Sequence, residues 1–336
     1  VNSKVAAPTR ARSILERVGN TPLIELQGPL TEGIRTPIYM KAEFFNPGGS
    51  VKDRIGPAII TAAEREGRLE PGGTIVEGTS GNTGVGLALA AAARGYRCIF
   101  TIPDKMSEEK IELLRAFGAE VIITPSDVGP DDPENYLVRA RSIAERTPGA
   151  ILADQFHNQA NPLAHYESTG PEIWAQTSGR VTHLIASAGT GGTISGTGRY
   201  LKEQNASVRV VSGDPVGSVY TEYARTGEMT EGGPYLVEGV GNDIIPSTLW
   251  FDTIDEFRQI DDGAAFMTAR RLARETGLLA GGSAGLNLYL ALEVAREIDD
   301  PEALVVVILP DTGERYLSKF YDDSWLEGQG LLGVDG

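Results

Sequence analysis

Short, continuously apolar runs alternate with amphipathic helical patterns along most of this chain, and that alternation restricts its fold more than any other feature. Residues 74–76, 98–102, 121–124, 151–153, 183–188, 208–212 and 304–309 read as strands. Between and after them, 85–94, 107–117, 134–146, 264–275 and 286–297 read as helices, with another running from the loop after 188 to about 203. Gly95 closes the first helix, and Gly118 follows the second, which has Ser107 as its cap and Glu108 and Glu109 in its first turn. Strands that are apolar throughout, each followed by a helix, predict an α/β fold with parallel sheets buried on both faces. Such sheets bind ligands at the carboxyl ends of their strands, and the glycine-rich segments of this chain fall at those ends. The 336 residues suffice for two lobes, with a boundary near 155–162 where a strand gives way to a polar loop.

Lys52 stands in Asn46-Pro47-Gly48-Gly49-Ser50-Val51-Lys52-Asp53-Arg54, a glycine-rich turn that runs into a helix. Ser50 and Asp53 have capping-box spacing, which predicts a helix start at Ser50 and places Lys52 in the first turn, at the positive end of the dipole. A positive field favours the free amine, the form that attacks an aldehyde, and pyridoxal phosphate is the commonest partner of such a lysine. An ordinary surface lysine near a helix start is the plainer reading of the same residues. Three further segments weigh against it.

Thr79-Ser80-Gly81-Asn82-Thr83-Gly84 lies between a strand and a helix. Its hydroxyls and exposed amides suit a carboxylate, and the Asn82 amide can bond a phenolic oxygen. A strand-to-helix turn with Asn82 as cap explains the same residues. Gly189-Thr190-Gly191-Gly192-Thr193 follows another strand; its amides can converge on an anion, and the two threonine hydroxyls can donate as well. This is a phosphate cup and not a dinucleotide fingerprint, because Ile194 stands where the third glycine would be. In Gly281-Gly282-Ser283-Ala284-Gly285, Ser283 can cap the next helix or offer its hydroxyl to a ring nitrogen. Gln155 can donate to a substrate carboxylate, while His157, His165 and His183 read as polar-loop and structural residues. No His-x-x-x-His pair occurs, so no catalytic metal is expected.

A net charge of −16 argues against nucleic acid and anionic membrane as partners. The single cysteine, Cys98, excludes an intrachain disulfide framework and a cysteine-based zinc site. With no apolar run long enough to span a bilayer and no signal-peptide core, the expected location is the cytoplasm.

Taken in order, the Lys52 turn, T-S-G-N-T-G, G-T-G-G-T and G-G-S-A-G resemble the fold-type II pyridoxal-phosphate family, in its cysteine synthase and cystathionine β-synthase branch. The resemblance runs from Val18 to Trp325. Residues 43–46, 103–110, 161–166, 238–241 and 318–325 are similar to the cystathionine β-synthase side of that branch, while 170–174 and 313–318 also occur in cysteine synthases. It implies a tryptophan synthase β-like fold of two open parallel-sheet lobes with the cofactor between them. The smaller, mobile lobe would span 46–160, the larger 1–45 plus 161–330, with a tail at 331–336. It implies pyridoxal 5'-phosphate bound to Lys52 as a Schiff base, with Asn82 on the ring oxygen. Gly189, Thr190, Gly191, Gly192 and Thr193 would surround the phosphate, and Ser283 would meet the pyridine nitrogen. Thr79, Ser80, Gly81, Thr83 and Gln155 would hold the substrate carboxylate. The implied partners are small-molecule amino-acid substrates and a second copy of the chain.

The implied reaction is β-replacement on serine or an activated serine by a thiol, with serine and homocysteine giving cystathionine. Alternatives are cysteine synthesis from O-acetylserine or O-phosphoserine with sulfide, an amine nucleophile, or a silent scaffold relative. Phe156 and Asn242 stand where many relatives carry tyrosine, near the expected second-substrate site. The chain reads as a catalytic core without a haem-binding segment or C-terminal regulatory domains.

Overall fold

A computed structural model describes residues 10–79, 81–106, 108–129 and 131–332. Among them ten strands form: Leu23–Glu25 (β1), Ile38–Ala42 (β2), Thr74–Gly78 (β3), Arg97–Pro103 (β4), Glu120–Thr124 (β5), Ala150–Leu152 (β6), His183–Ser187 (β7), Arg209–Pro215 (β8), Glu256–Ile260 (β9) and Val305–Leu309 (β10). They make a six-stranded sheet in the order β1-β2-β10-β7-β8-β9 and a four-stranded sheet in the order β5-β4-β3-β6. Every pairing is parallel except that of β1 with β2. The antiparallel edge departs from the all-parallel expectation; β1 and β2 are joined without a crossover helix, and only an antiparallel partner can be reached that way.

The helices are Ile55–Arg65 (α1), Asn82–Arg94 (α2), Glu108–Ala116 (α3), Tyr136–Arg146 (α4), Ala160–Ala164 (α5), Gly170–Gln176 (α6), Gly192–Gln204 (α7), Tyr220–Thr226 (α8), Asp262–Thr276 (α9), Gly282–Ile298 (α10) and Asp323–Gly328 (α11). A π turn, His165–Thr169, joins α5 to α6. Ser107, the expected cap of α3, lies outside the described residues. Gly95 closes α2 in the left-handed conformation, as the sequence suggests.

Helix α10 begins at Gly282, four residues before the pattern predicts. The glycine-rich segment forms its first turn, because a Cβ on Gly285 would stand 2.0 Å from the Ala265 carbonyl of α9. Small residues here are a packing requirement, and they conceal the helical periodicity.

β10 shows why its sequence is apolar throughout. Val305, Val307 and Leu309 join the core that α9 and α10 cover, while Val306 and Ile308 join the core beneath α7 on the other face. A third core, around Ile59, Val85 and Phe100, fills the four-stranded sheet. Each fully buried aliphatic side chain contributes ~1.5–3 kcal/mol, so the sheets are held chiefly by these faces.

A buried ionic network anchors the segment that follows Lys52. Arg54 donates from Nε and Nη2 to the two oxygens of Glu43 at 2.7 and 2.8 Å, and from Nη1 and Nη2 to Glu172 at 2.7 and 2.8 Å. Lys41 donates to Glu172 at 2.7 Å. Burial alone would raise both carboxyl groups. The Arg54 charge outweighs it at Glu43, holding that group below its usual range. Arg54, helped by Lys41, brings Glu172 down to about 2. Groups depressed in this way stabilise the fold above the unfolded carboxylate range, and that contribution is lost as pH falls toward about 2, the value at Glu172. Removing one partner leaves a buried charge uncompensated. Glu43→Ala should therefore cost about 3–5 kcal/mol in urea unfolding at neutral pH and flatten the acid limb of the stability profile; a loss below about 1 kcal/mol, the range of surface pairs, would contradict this.

Candidate active site

The carboxyl ends of β7 and β10 and the first turn of α7 line a cleft, and Lys52, Gly189, Thr190, Gly191 and Thr193 line the same cleft. Lys52 sits in a 3-10 turn, Val51–Asp53, where Ser50 Oγ accepts the Lys52 N–H at 3.2 Å. The helix expected to start at Ser50 begins instead at Ile55. Asp53 closes the turn by accepting the Gly48 N–H at 2.5 Å. A single 3-10 turn aligns few peptides, so the dipole is not what weakens the lysine's hold on its proton. Burial pulls Lys52 down to about 8, against the opposing carboxylate of Asp311. The turn is stitched to the segment after β10, with Val51 N–H on Pro310 O at 2.7 Å and Thr312 N–H on Gly49 O at 3.2 Å.

The glycine loop before α7 is built for close approach. Gly191 caps the helix with φ +82, and a Cβ on Gly189 would meet the Gly239 carbonyl at 2.3 Å. A Cβ on Gly192 would fall 2.0 Å from Asn161 Oδ1. The first amides of a helix have no partner within it and face an anion readily. Asn161 Nδ2 donates to Thr190 Oγ1 at 2.9 Å, which leaves the threonine its own hydrogen to give. Thr193 Oγ1 lies 3.2 Å from His165 Nε2. His165 is held neutral by burial and by the charges of Arg54 and Lys52.

The loop before α2 holds itself in shape. Thr79 Oγ1 accepts from Gly81 N–H at 3.0 Å and from Gly84 N–H at 3.2 Å. Gly81 caps α2 with φ +123. The Thr83 hydroxyl donates to Gln155 Oε1, and Gln155 Nε2 donates to Gly78 O at 3.2 Å. Ser80 lies outside the described residues. Glu77, pushed up to about 8 by burial, accepts the Asp154 N–H at 2.7 Å and so fixes the chain that carries Gln155.

Asn82 is the first residue of α2 and not its cap. Its Nδ2 donates to Asp311 Oδ2 at 2.8 Å, and its Oδ1 accepts from Arg315. Ser283 does not cap α10 either: Gly281 takes that position, and Ser283 is buried in the first turn. It lies one turn before Asn287, on the face by which Asn287 reaches the cleft. Gly281–Gly285 also has the G-x-S-x-G spacing of a hydrolase elbow. The three histidines, however, contact Ser247, Thr169 with Thr193, and Thr182, none of them Ser283. Phe156 borders a separate cleft with Glu77, Asp154, His157 and Ile244. Asn242 accepts the Val219 N–H at 3.0 Å through its carbonyl.

Sequence reasoning passed over Asp311, Arg315, Ser187 and Asn287. Ser187 Oγ and Asn287 Oδ1 are buried without partners and belong to residues of the Lys52 cleft. A signal for Asp311 was available, since it follows a continuous apolar strand at its carboxyl end, where ligands bind. Asn287 carried none, sitting among leucines in a helix.

Helix α2 passes beneath Lys52 so closely that a Cβ on Gly86 would stand 2.2 Å from the Lys52 carbonyl oxygen. Gly86→Ala must displace that peptide. It should destabilise the chain by about 1–3 kcal/mol in urea unfolding, and unchanged stability would mean that the two backbones are further apart than described.

Comparison with known proteins identifies the family. The model of the family described as "Pyridoxal-phosphate dependent enzyme" matches residues 14–311. The cystathionine β-synthase of Apis mellifera is 47% identical over 95% of this chain and 63% of its own length. That of Mus musculus is 44% identical over 97% of this chain and 58% of its own. The chain thus spans about three fifths of these relatives. A solved O-ureido-L-serine synthase superposes with a TM-score of 0.85, at 40% identity and 97% coverage of both chains. An O-acetylserine-dependent cystathionine β-synthase from Helicobacter pylori gives 0.84 at 36% identity, covering 93% of this chain and 98% of that one. The chain belongs to the pyridoxal-phosphate dependent enzymes, and its sequence is similar to the cystathionine β-synthases among them.

Proposed function

We propose that the chain catalyses β-replacement on serine or an activated serine, with homocysteine as the incoming thiol and cystathionine as the product. The observation that carries this reading is one cleft shared by Lys52, weakened to about 8, and the glycine-lined N-terminus of α7. The similarity to cystathionine β-synthases supplies the substrates. The cleft also fits the cofactor chemically: Ser187 Oγ and Asn287 Oδ1, buried and unpartnered there, would gain partners from a polar ligand.

When bound, pyridoxal phosphate withdraws electrons from an attached amino acid, so that its α-hydrogen becomes acidic and a β-substituent can leave. Lys52 would hold the cofactor and, once displaced by the substrate amine, take the α-proton and return it. An amine near 8 is well matched to a base that must both accept and give a proton close to neutral pH. The first amides of α7, with Gly189, Thr190, Gly191, Gly192 and Thr193, would hold the phosphate. Asn82 would donate to the ring oxygen, and Ser283 would meet the ring nitrogen with a neutral hydroxyl that imposes no charge on it. Thr79, Ser80, Gly81, Thr83 and Gln155 would hold the substrate carboxylate at the start of α2. The lobe over 46–160 would be the one that moves.

A second reading has specific support. The Helicobacter pylori protein is an O-acetylserine-dependent cystathionine β-synthase, and Phe156 offers no hydroxyl beside Gln155. Under that reading the leaving group is acetate. We also propose a homodimer, for which exposed Phe45 and Leu163 are candidate contacts, and a cytoplasmic location, which the lone buried Cys98 supports.

Purified protein loaded with pyridoxal phosphate should make cystathionine from homocysteine and serine or O-acetylserine, identified by mass. Cysteine alone, from O-acetylserine and sulfide, would make it a cysteine synthase. Lys52→Ala should lose nearly all turnover, and a fully active variant would overturn the role given to Lys52.

A further inference from the structure

The segment after β10 touches each part of the site. An isolated bridge pairs Ser50 with Asp311, and another pairs Ala280 with Thr312. The Gly281 N–H donates to the Asp311 carbonyl at 3.0 Å. One residue therefore lies between the Lys52 turn and the start of α10, and its side chain reaches a third element, α2. Asp311 is 1% exposed. Its Oδ2 accepts from Asn82 Nδ2 at 2.8 Å and from the Tyr316 hydroxyl at 2.6 Å. Its Oδ1 is buried without a partner, packed so tightly on Gly281 that a Cβ there would come within 2.0 Å.

We propose that Asp311 is a positioning residue of the site: it holds the Asn82 amide in its donating orientation and sets a buried negative charge beside the Lys52 turn. The orientation is fixed at both ends. Arg315, which also donates to Gly48 O, donates to Asn82 Oδ1, while Asp311 takes a hydrogen from Nδ2. Turning the amide over would set its NH2 group against the guanidinium and its oxygen against the carboxylate. The amide has a second Nδ2 hydrogen to give.

The counter-charge follows from burial. A carboxylate with one oxygen unpaired is costly to bury unless a cation stands near it. Charged and titratable groups near Lys52 include Asp311 and Arg315 from the segment after β10, His165 from the π turn, and Asp53 and Arg54 just after it in the chain. Asp311 is the one that opposes the burial of Lys52 and raises its proton affinity.

The inference rests on the reading of Lys52 as the residue that holds the cofactor, so Lys52→Ala is measured beside it. The rate at which pyridoxal phosphate joins the cofactor-free full chain is followed against pH, with its dissociation constant and the melting temperature of each variant. Asp311→Asn keeps the shape and removes the charge, so the pH midpoint of association should move down. Asp311→Ala also deprives Asn82 of its partner and should weaken cofactor binding roughly ten- to hundredfold. Tyr316→Phe keeps the ring but removes a hydrogen bond that spreads the Asp311 charge, so its midpoint should move up. A purely structural role would not produce opposite displacements. An unmoved midpoint in folded Asp311→Asn overturns the proposal. If that variant does not fold, an unmoved midpoint in Tyr316→Phe overturns it. If Lys52→Ala retains the cofactor through dialysis, the reading of Lys52 itself fails, a result distinct from either.

Discussion

Two residues beyond Lys52, the Arg54 guanidinium lies buried between the carboxylates of Glu43 and Glu172, and the placement of the lysine depends on that contact. Arg54 precedes the first residue of α1, Glu43 follows β2, and Glu172 is in α6. The network therefore ties the Lys52 turn to the end of β2 in the large sheet and to the irregular helix that also carries His165. Thr21 and Asn46 complete it: the Thr21 hydroxyl donates to Glu43 at 2.7 Å, and Asn46 Nδ2 does so at 2.9 Å. Asn46 begins the glycine turn, so the network holds the turn from both sides of Lys52. An apolar core would supply as much stability. The directional bonds of a guanidinium fork add a fixed geometry to the short turn that carries Lys52.

Burial does for Lys52 what the sequence seemed to assign to a helix dipole. The same cause acts elsewhere, raising Asp53, next to Lys52, to about 6 and Glu77, at the separate cleft, to about 8. Both carboxyl groups accept backbone N–H bonds that work in the opposite direction, and burial prevails. Both side chains are thus held away from water. Dryness has two consequences of opposite use: it strengthens every interaction made with a charged ligand, and it weakens the charge on each group that waits for one. Asp311 opposes the second effect at Lys52.

Continuous strands and helix-ending glycines were legible because their causes are local. Gly95 needs a left-handed backbone, and the two faces of β10 need apolar side chains at every position. The glycine loop before α7 was legible for the same reason, since three glycines in five residues after a strand serve close approach wherever the chain later goes. Local signals failed where the partner is remote in sequence. Asp311 reaches Asn82 across 229 positions and Arg315 reaches it across 233, and no spacing rule connects them. Gln155 pairs with Thr83 across 72. The start of α10 was misplaced because Gly285 answers to a carbonyl of α9 and not to its own helix.

The glycines tie the packing to the chemistry. Gly56 and Gly86 let α1, α2 and the Lys52 turn touch backbone to backbone, with a Cβ at either position 2.2 Å from a carbonyl oxygen. Gly189 and Gly192 do the same for the loop before α7 against Gly239 and Asn161. In each case the missing side chain lets a main-chain group approach its neighbour closely. Main-chain amides have no rotamers to lose, so a cup made of them binds an anion at little conformational cost. A glycine paid for in unfolded-state entropy returns that rigidity at the cleft. The positions that most restrict this fold are therefore also those that shape its site, and a substitution at Gly86 acts on Lys52 through the backbone alone.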